Sequence, residues 1–181
     1  MKIIDVETYV LLADNYDPSL TSSAQDTCLV IIKTDEGIEG YGECDTSPWV
    51  AKAFIESPGT HTMDQCVKEI LIGSDPLEID LLWEKIYVGT AMTGRRGAGV
   101  NAMSAVDMAL WDIKGKEAGL PVYQLLGGAC RSAVPCYAHA AGDDLPALED
   151  DIRRYLEEGY PVVRCQLGPY GGGGFLGDDE T

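Results

Sequence analysis

The stretch Gly97 to Gly128, GAGVNAMSAVDMALWDIKGKEAGLPVYQLLGG, constrains the fold more than any other part of the chain. Met103, Val106, Leu110 and Ile113 recur at steps of three and four, so they form one stripe along an α-helix. Ala102, Ala105 and Ala109 lie close to that stripe, and side chains so small let another backbone come near. A helix of this kind is built to be buried. Asp112 and Lys116 stand four apart with the acid first, the favourable order for a pair on the exposed side. Gly119 followed by Pro121 reads as a C-cap and a stop, and a short second helix is expected over Val122 to Leu126, closed by Gly127 and Gly128.

Upstream, Ile3 to Leu12, Thr27 to Thr34 and Glu39 to Cys44 read as three strands. The first alternates, with Ile4, Val6 and Tyr9 on different faces. The second, CLVIIK, is continuously apolar and is expected to be the more deeply buried. Asp35, Glu36 and Gly37 make a tight turn, so the second and third strands form an antiparallel hairpin. Two polar stretches flank these strands: ADNYDPSLTSSAQD, and Asp45 to Pro48. Helices are expected at Trp49 to Glu56, at Thr62 to Ile72 with Thr62 and Gln65 as a capping box, and from Pro76 to about Val88 with Asp75 as cap. The loop Thr90 to Gly99 carries Arg95 and Arg96, which either hold a carboxylate or decorate an acidic surface. An antiparallel meander followed by helices is an α+β arrangement.

After Gly128 the period changes. Ala133 to Ala140 reads as a strand, Pro146 to Glu158 as an amphipathic helix through Leu148, Ile152, Tyr155 and Leu156, and Pro161 to Leu167 as a second strand. A strand, helix, strand unit of this length implies parallel strands with a right-handed crossover, the opening of a parallel barrel or doubly wound sheet. The expected domains are residues 1–130 and 131–181. The final GPYGGGGFLGDDET holds no recognisable element; its four glycines lead to no lysine and no helix, so a flexible connection is expected, with Asp178, Asp179 and Glu180 solvated. In parallel barrels the chemistry stands at the C-terminal ends of the strands, and those ends offer His139 on the first, with Arg164 and Gln166 on one face of the second.

Composition narrows the function classes. A net charge of −17 over 181 residues argues against nucleic acid or an anionic membrane as partner. No apolar run reaches the length of a membrane span, and MKIIDVETYV meets Asp5 and Glu7 too soon for a signal peptide, so a cytoplasmic location is expected. Cys28, Cys44, Cys66, Cys130, Cys136 and Cys165 show no C-x-x-C spacing and are expected to be buried, reduced thiols. Two histidines, His61 and His139, are too few for a histidine-rich metal site.

The run Ala102, Ser104, Ala105, Val106, Asp107, Ala109, Leu110, Asp112, Ile113, Gly115, Lys116, Pro121, Val122, Leu125, Leu126, Gly127 resembles the signature helix of the mandelate racemase and muconate lactonising enzymes of the enolase superfamily. The resemblance implies an N-terminal capping domain, a three-stranded meander plus helices, followed by the first βαβ unit of an incomplete (β/α) barrel. Tyr137, Ala138, His139, Ala140, Gly142 and Gly159, Tyr160, Val163, Arg164, Gln166, Gly168 resemble the mannonate dehydratase group of sugar-acid dehydratases. By that resemblance His139 and Gln166 bind substrate, Arg164 stands beside a tyrosine that abstracts the proton next to the substrate carboxylate, and Tyr170 is the one tyrosine after Arg164. The polar stretches near residues 13–26 and 45–48 correspond to two loops that close over the barrel mouth, with Ser47 as a substrate contact. Lysine-based racemisation is not expected, because the positions commonly held by two lysines are Arg164 and Gln166.

In that superfamily three carboxylates on the third, fourth and fifth barrel strands bind Mg2+, and this chain has no counterpart to those strands. The resemblance therefore implies the N-terminal part of a magnesium-dependent dehydratase of a small-molecule sugar acid, homo-oligomeric at full length. The metal-binding half lies outside these residues, so no tight magnesium site is expected on them. A non-catalytic capping or interaction module is the alternative.

Overall fold

The computed structural model describes residues 1–17, 25–45, 47–142 and 144–165. The chain divides into two compact units, one holding Met1–Tyr16 and most of the chain through Gly128, the other holding Asp17 and the residues from Ala129 on.

In the first unit, β1 (Ile3–Leu12), β2 (Asp26–Thr34) and β3 (Glu39–Asp45) form an antiparallel sheet in the order β1-β2-β3. The β2–β3 turn closes on Gly37, whose φ of 80° suits a residue without a side chain, and the Thr34 and Ile38 backbones pair at 3.1 Å. In β1 the ladder shifts between Ile3 and Asp5, a bulge that lets Ile3 and Val6, three apart, both face the core while Ile4 turns outward. β2 is more deeply buried than β1, as its continuous apolar run implies. Cys28, Val30, Ile32 and Thr34 are buried, whereas Leu29 and Ile31 are half-covered, because the helices lie on one side of the sheet and the other side carries only cross-strand neighbours such as Tyr9 and Tyr41.

The helices that follow are α1 (Pro48–Glu56), α2 (Val67–Leu71), α3 (Ile79–Gly89), α4 (Ala98–Ala118) and α5 (Val122–Leu125). Helix α4 is the axis of the core: Ala102, Met103, Ala105, Val106, Ala109, Leu110 and Ile113 are all buried, and Gly119 ends it at φ 65°. The backbone that approaches its alanine side belongs to β3. A Cβ on Gly40 would stand 2.1 Å from the Ala109 carbonyl oxygen, and one on Gly42 would stand 1.9 Å from that of Ala105. Helix and strand therefore meet backbone to backbone. Asp112 and Lys116 pair at 2.6 Å, and their setting explains their use: Asp112 accepts the Tyr41 N–H at 2.9 Å and Lys116 donates to the Glu39 carbonyl at 2.7 Å. Both strand groups lie on the outer edge of β3. At the other edge Lys52 of α1 donates to the Thr8 carbonyl at 2.9 Å and to Glu56 at 2.7 Å, while Thr8 also bonds Glu56, and Ile3 pairs with residues 73 and 74.

Two helices start later than their sequence signals suggest. Helix α2 begins at Val67, because Thr60 and Thr93 both bond the Asp64 carboxylate and hold residues 60–64 in a turn; Gln65 donates to the Thr62 carbonyl instead of completing a capping box. Asp75 accepts the Leu77 N–H at 3.0 Å and makes a local turn, and α3 starts only at Ile79.

The second unit contains β4 (Ala138–Ala140), α6 (Leu145–Glu157) and β5 (Val163–Cys165). The strands pair in parallel, Ala138 with Val163, His139 with Arg164 and Ala140 with Cys165. The expected strand from Ala133 keeps only its last three residues. Pro135 has no N–H to give a ladder, Val134 is 72% exposed, and no described strand lies beside that segment. Asp144 caps α6 by accepting the Ala147 N–H at 2.8 Å. Of the helix's apolar face only Leu148 is buried, Ile152 and Tyr155 are half-covered, and Leu156 is 53% exposed. Leu167 and the tail with its glycine run and Asp178, Asp179 and Glu180 lie outside the described residues.

None of the six cysteines forms a disulfide, but only Cys28, Cys44 and Cys66 are buried; Cys130, Cys136 and Cys165 are exposed, since they fall in the thinly packed second unit. Burial pushes the Cys44 thiol up to about 11, which keeps it unreactive.

Candidate functional site

Strand alternation decides what β4 presents. Ala138 and Ala140 point to one side, where they are buried along with Leu148 of α6, and His139 points to the other, exposed. Because His139 and Arg164 are register partners, their side chains leave the sheet on that same open face. An imidazole and a guanidinium on neighbouring strands suit a ligand with hydroxyls and a carboxylate: the guanidinium offers a planar fork of donors to the carboxylate and the imidazole one donor and one acceptor.

The first unit holds a second candidate. Ser47, at the N-cap of α1, has φ 53° and is the one described non-glycine residue with positive φ. Its hydroxyl makes no capping bond, while its carbonyl accepts from Val50 and Ala51 at 2.9 and 3.0 Å. A cavity of about 560 Å³ opens at the same end of the sheet, lined by Leu12, Gln25, Asp26, Thr27, Glu43 and Asp45. Its lining comes from the flanks of the two polar stretches singled out in the sequence.

Of the sequence-derived site residues, the structure thus brings together His139 and Arg164. Ser47 belongs to the other unit, and Gln166 and Tyr170 lie outside the described residues. Arg95 lies over the Tyr87 ring at 4.8 Å. Among the described residues no group of three or more His, Cys, Asp or Glu could hold a metal ion, so these residues do not fit a magnesium centre.

A capping α+β unit followed by a parallel strand, helix, strand unit, with polar side chains at the strand ends, defines an enolase-like architecture. Residues 10–127 match the N-terminal domain model of the mandelate racemase / muconate lactonizing enzymes, and the chain belongs to that family. A D-galactonate dehydratase family member from Paenibacillus sp. (strain JDR-2) is 46% identical over 158 residues, covering 86% of this chain and 36% of that protein. One from Salmonella enteritidis PT4 is 45% identical over 151 residues, covering 82% and 34%. An enolase from Pantoea ananatis, solved with D-gluconate and Mg bound, superimposes with a TM-score of 0.72 at 36% identity, over 91% of this chain and 36% of that one. A putative mandelate racemase from Bordetella bronchiseptica RB50 gives a TM-score of 0.76 at 31% identity, over 92% and 44%. The chain spans about a third of the length of the curated relatives it matches. Those relatives carry the galactonate name, which shifts the mannonate-like expectation within the sugar-acid dehydratases. Among the described residues no helix is long and apolar enough to cross a membrane.

Proposed function

We propose that this chain is the N-terminal part of a magnesium-dependent, cytoplasmic sugar-acid dehydratase, homo-oligomeric at full length, whose substrate meets His139 and Arg164. The observation that carries the reading is the in-register placement of those two side chains on the open face of β4 and β5. In the reaction the C2 proton beside the carboxylate is removed and the C3 hydroxyl leaves as water, so an enol forms and ketonises. The resemblance assigns the magnesium-holding carboxylates to later barrel strands, where the metal would supply charge stabilisation; none of the described residues would hold it. This chain's own residues bind the substrate and take the proton: Arg164 favours ionisation of the tyrosine that removes it, for which Tyr170 is the candidate, while His139 and Gln166 bond substrate hydroxyls.

Titration of the 181-residue chain with D-gluconate, D-galactonate and D-mannonate, followed by NMR, tests the reading. The expected result is a saturable response among the backbone amides of β4 and β5 that weakens at least tenfold in His139→Gln and in Arg164→Gln. No turnover is expected from this chain with added Mg2+. A response unchanged in the double variant removes the proposed site.

A further inference from the structure

The contacts of the second unit converge on the chain to either side of His139. Tyr137, immediately before β4, stacks its ring 5.1 Å from the imidazole at a tilt of 32°. Two residues after it, the Ala141 N–H donates at 3.0 Å to Asp151 of α6. The other oxygen of that carboxylate receives both Nε and Nη2 of Arg154, at 3.0 and 2.6 Å. Arg154 is fixed in turn, bonding Glu158 at 2.8 Å and lying 4.0 Å over the Tyr155 ring. The Ala141 N–H first, and Arg154 second, hold the Asp151 carboxyl below the usual range. Gly142 completes the arrangement, since a Cβ there would come 2.3 Å from the Leu148 nitrogen: the loop after His139 lies directly on the backbone of α6.

We infer that Tyr137 and Asp151 are positioning residues for His139, Tyr137 setting the plane of the imidazole and Asp151 fixing the backbone that follows it. This rests on the reading of His139 as a substrate contact. A histidine on an exposed three-residue strand has little else to restrict its rotamer, because among the described residues no packed layer covers its face. The aromatic neighbour supplies a preferred tilted geometry. The carboxylate–amide bond removes the freedom of the chain at the point where the strand opens into the loop. Neither residue needs to touch the sugar acid to affect its binding. Both act by keeping the imidazole where Arg164 can share a ligand with it.

Proton NMR of the 181-residue chain carrying His61→Gln, which leaves one imidazole, reads the ring directly. Tyr137→Phe is expected to keep the ring-current displacement of the His139 protons and Tyr137→Leu to collapse it. Asp151→Ala is expected to speed exchange of the Ala141 amide at least tenfold and to broaden the His139 signals, while Asp151→Asn, which retains an acceptor, preserves most of the protection. His139 signals that stay at their parent positions in both Tyr137→Leu and Asp151→Ala overturn the inference. In a D-gluconate titration, Tyr137→Leu should weaken the response nearly as far as His139→Gln does. If His139→Gln leaves that response intact, the functional reading falls, and the ring-current result still decides the positioning role independently.

Discussion

The two sheets of this chain face the same physical problem and solve it to different degrees. The meander β1-β2-β3 has two edges, and both are closed by groups from the helices: Lys52 on the Thr8 carbonyl, and Asp112 and Lys116 on the Tyr41 N–H and the Glu39 carbonyl. The parallel pair β4-β5 has no such closure among the described residues. Val162 is 58% exposed, Tyr137 53%, and the covering helix contributes one buried residue, Leu148. An edge sealed by charged side chains resists pairing with another chain, and an open one invites it. Stability in this molecule thus belongs to the first unit, while the side chains fit for chemistry stand on the second.

The strongest way to break that contrast is Leu110→Asp. Leu110 is 1% exposed at the centre of α4, so an aspartate there places a charge without a partner in the core, at a cost of several kcal/mol, roughly 3–5. The variant is expected to lose the cooperative thermal transition followed by circular dichroism. Retention of the parent melting temperature would show that α4 is not central.

Next in size is a matched pair of glycine substitutions. Gly42→Ala drives a methyl into the Ala105 carbonyl, and because backbone lies on both sides neither can yield cheaply; a loss of at least about 1–3 kcal/mol is expected in the global transition. Gly142→Ala meets the Leu148 nitrogen in the same way, but its effect should stay within the second unit, appearing as faster amide exchange in α6 and β5 with the main transition unmoved. Equal effects of the two on the main transition would mean that the units unfold together.

Much of this was legible in the sequence. The stripe Met103, Val106, Leu110, Ile113 and the spacing of the three strands follow from periodicity, which local geometry preserves. Gly40 and Gly42 were harder to read: glycines in a strand look like weak points until the helix that crosses them is known, and the alanines facing them say only that something comes near. The late starts of α2 and α3 have a different cause: the cap signal at Thr62 loses to a turn held by Thr60 and Thr93 on Asp64, and Asp75 commits its carboxylate to a local turn with the Leu77 N–H. For the site, the sequence placed His139 and Arg164 at strand ends, and their in-register pairing is a long-range fact. Tyr137 and Asp151 had one signal each, the i, i+2 spacing to His139 and an acid one turn before Arg154, and neither points to a role without the fold.

A smaller effect sharpens the contrast through association. The net charge of −17 keeps copies apart at low salt, but that repulsion is screened beyond about 8 Å at physiological ionic strength. Light scattering is expected to show self-association rising with salt. Lys116→Met, which opens the β3 edge, should add to it and cost about 1 kcal/mol or less in stability. A monomer at all salt concentrations, with β5 exchanging as slowly as α4, would show that the second sheet is closed after all.

The smallest expected effect is on pH, and its sign follows from the carboxylates that hold each edge. Asp5 is lowered chiefly by its bond to Lys68, and Asp151 by the Ala141 N–H and then Arg154. A group whose folded pKa is depressed contributes stability that is fully present above its unfolded value and is lost as pH falls through the folded one. Both bonds therefore weaken on acidification below the ordinary carboxylate range, and neither changes between neutral and alkaline pH. The consequences differ because their settings differ. Asp5 lies on a strand that is paired along its length with β2, so its protonation leaves the ladder in place. Asp151 supplies the bond that ties the loop after β4 to α6, with little buried around it. Amide exchange measured on acidification, corrected for the intrinsic rate at each pH, is expected to show Ala141 losing protection before any amide of β1. If β1 opens first, Asp151 is not what holds the His139 end of the strand.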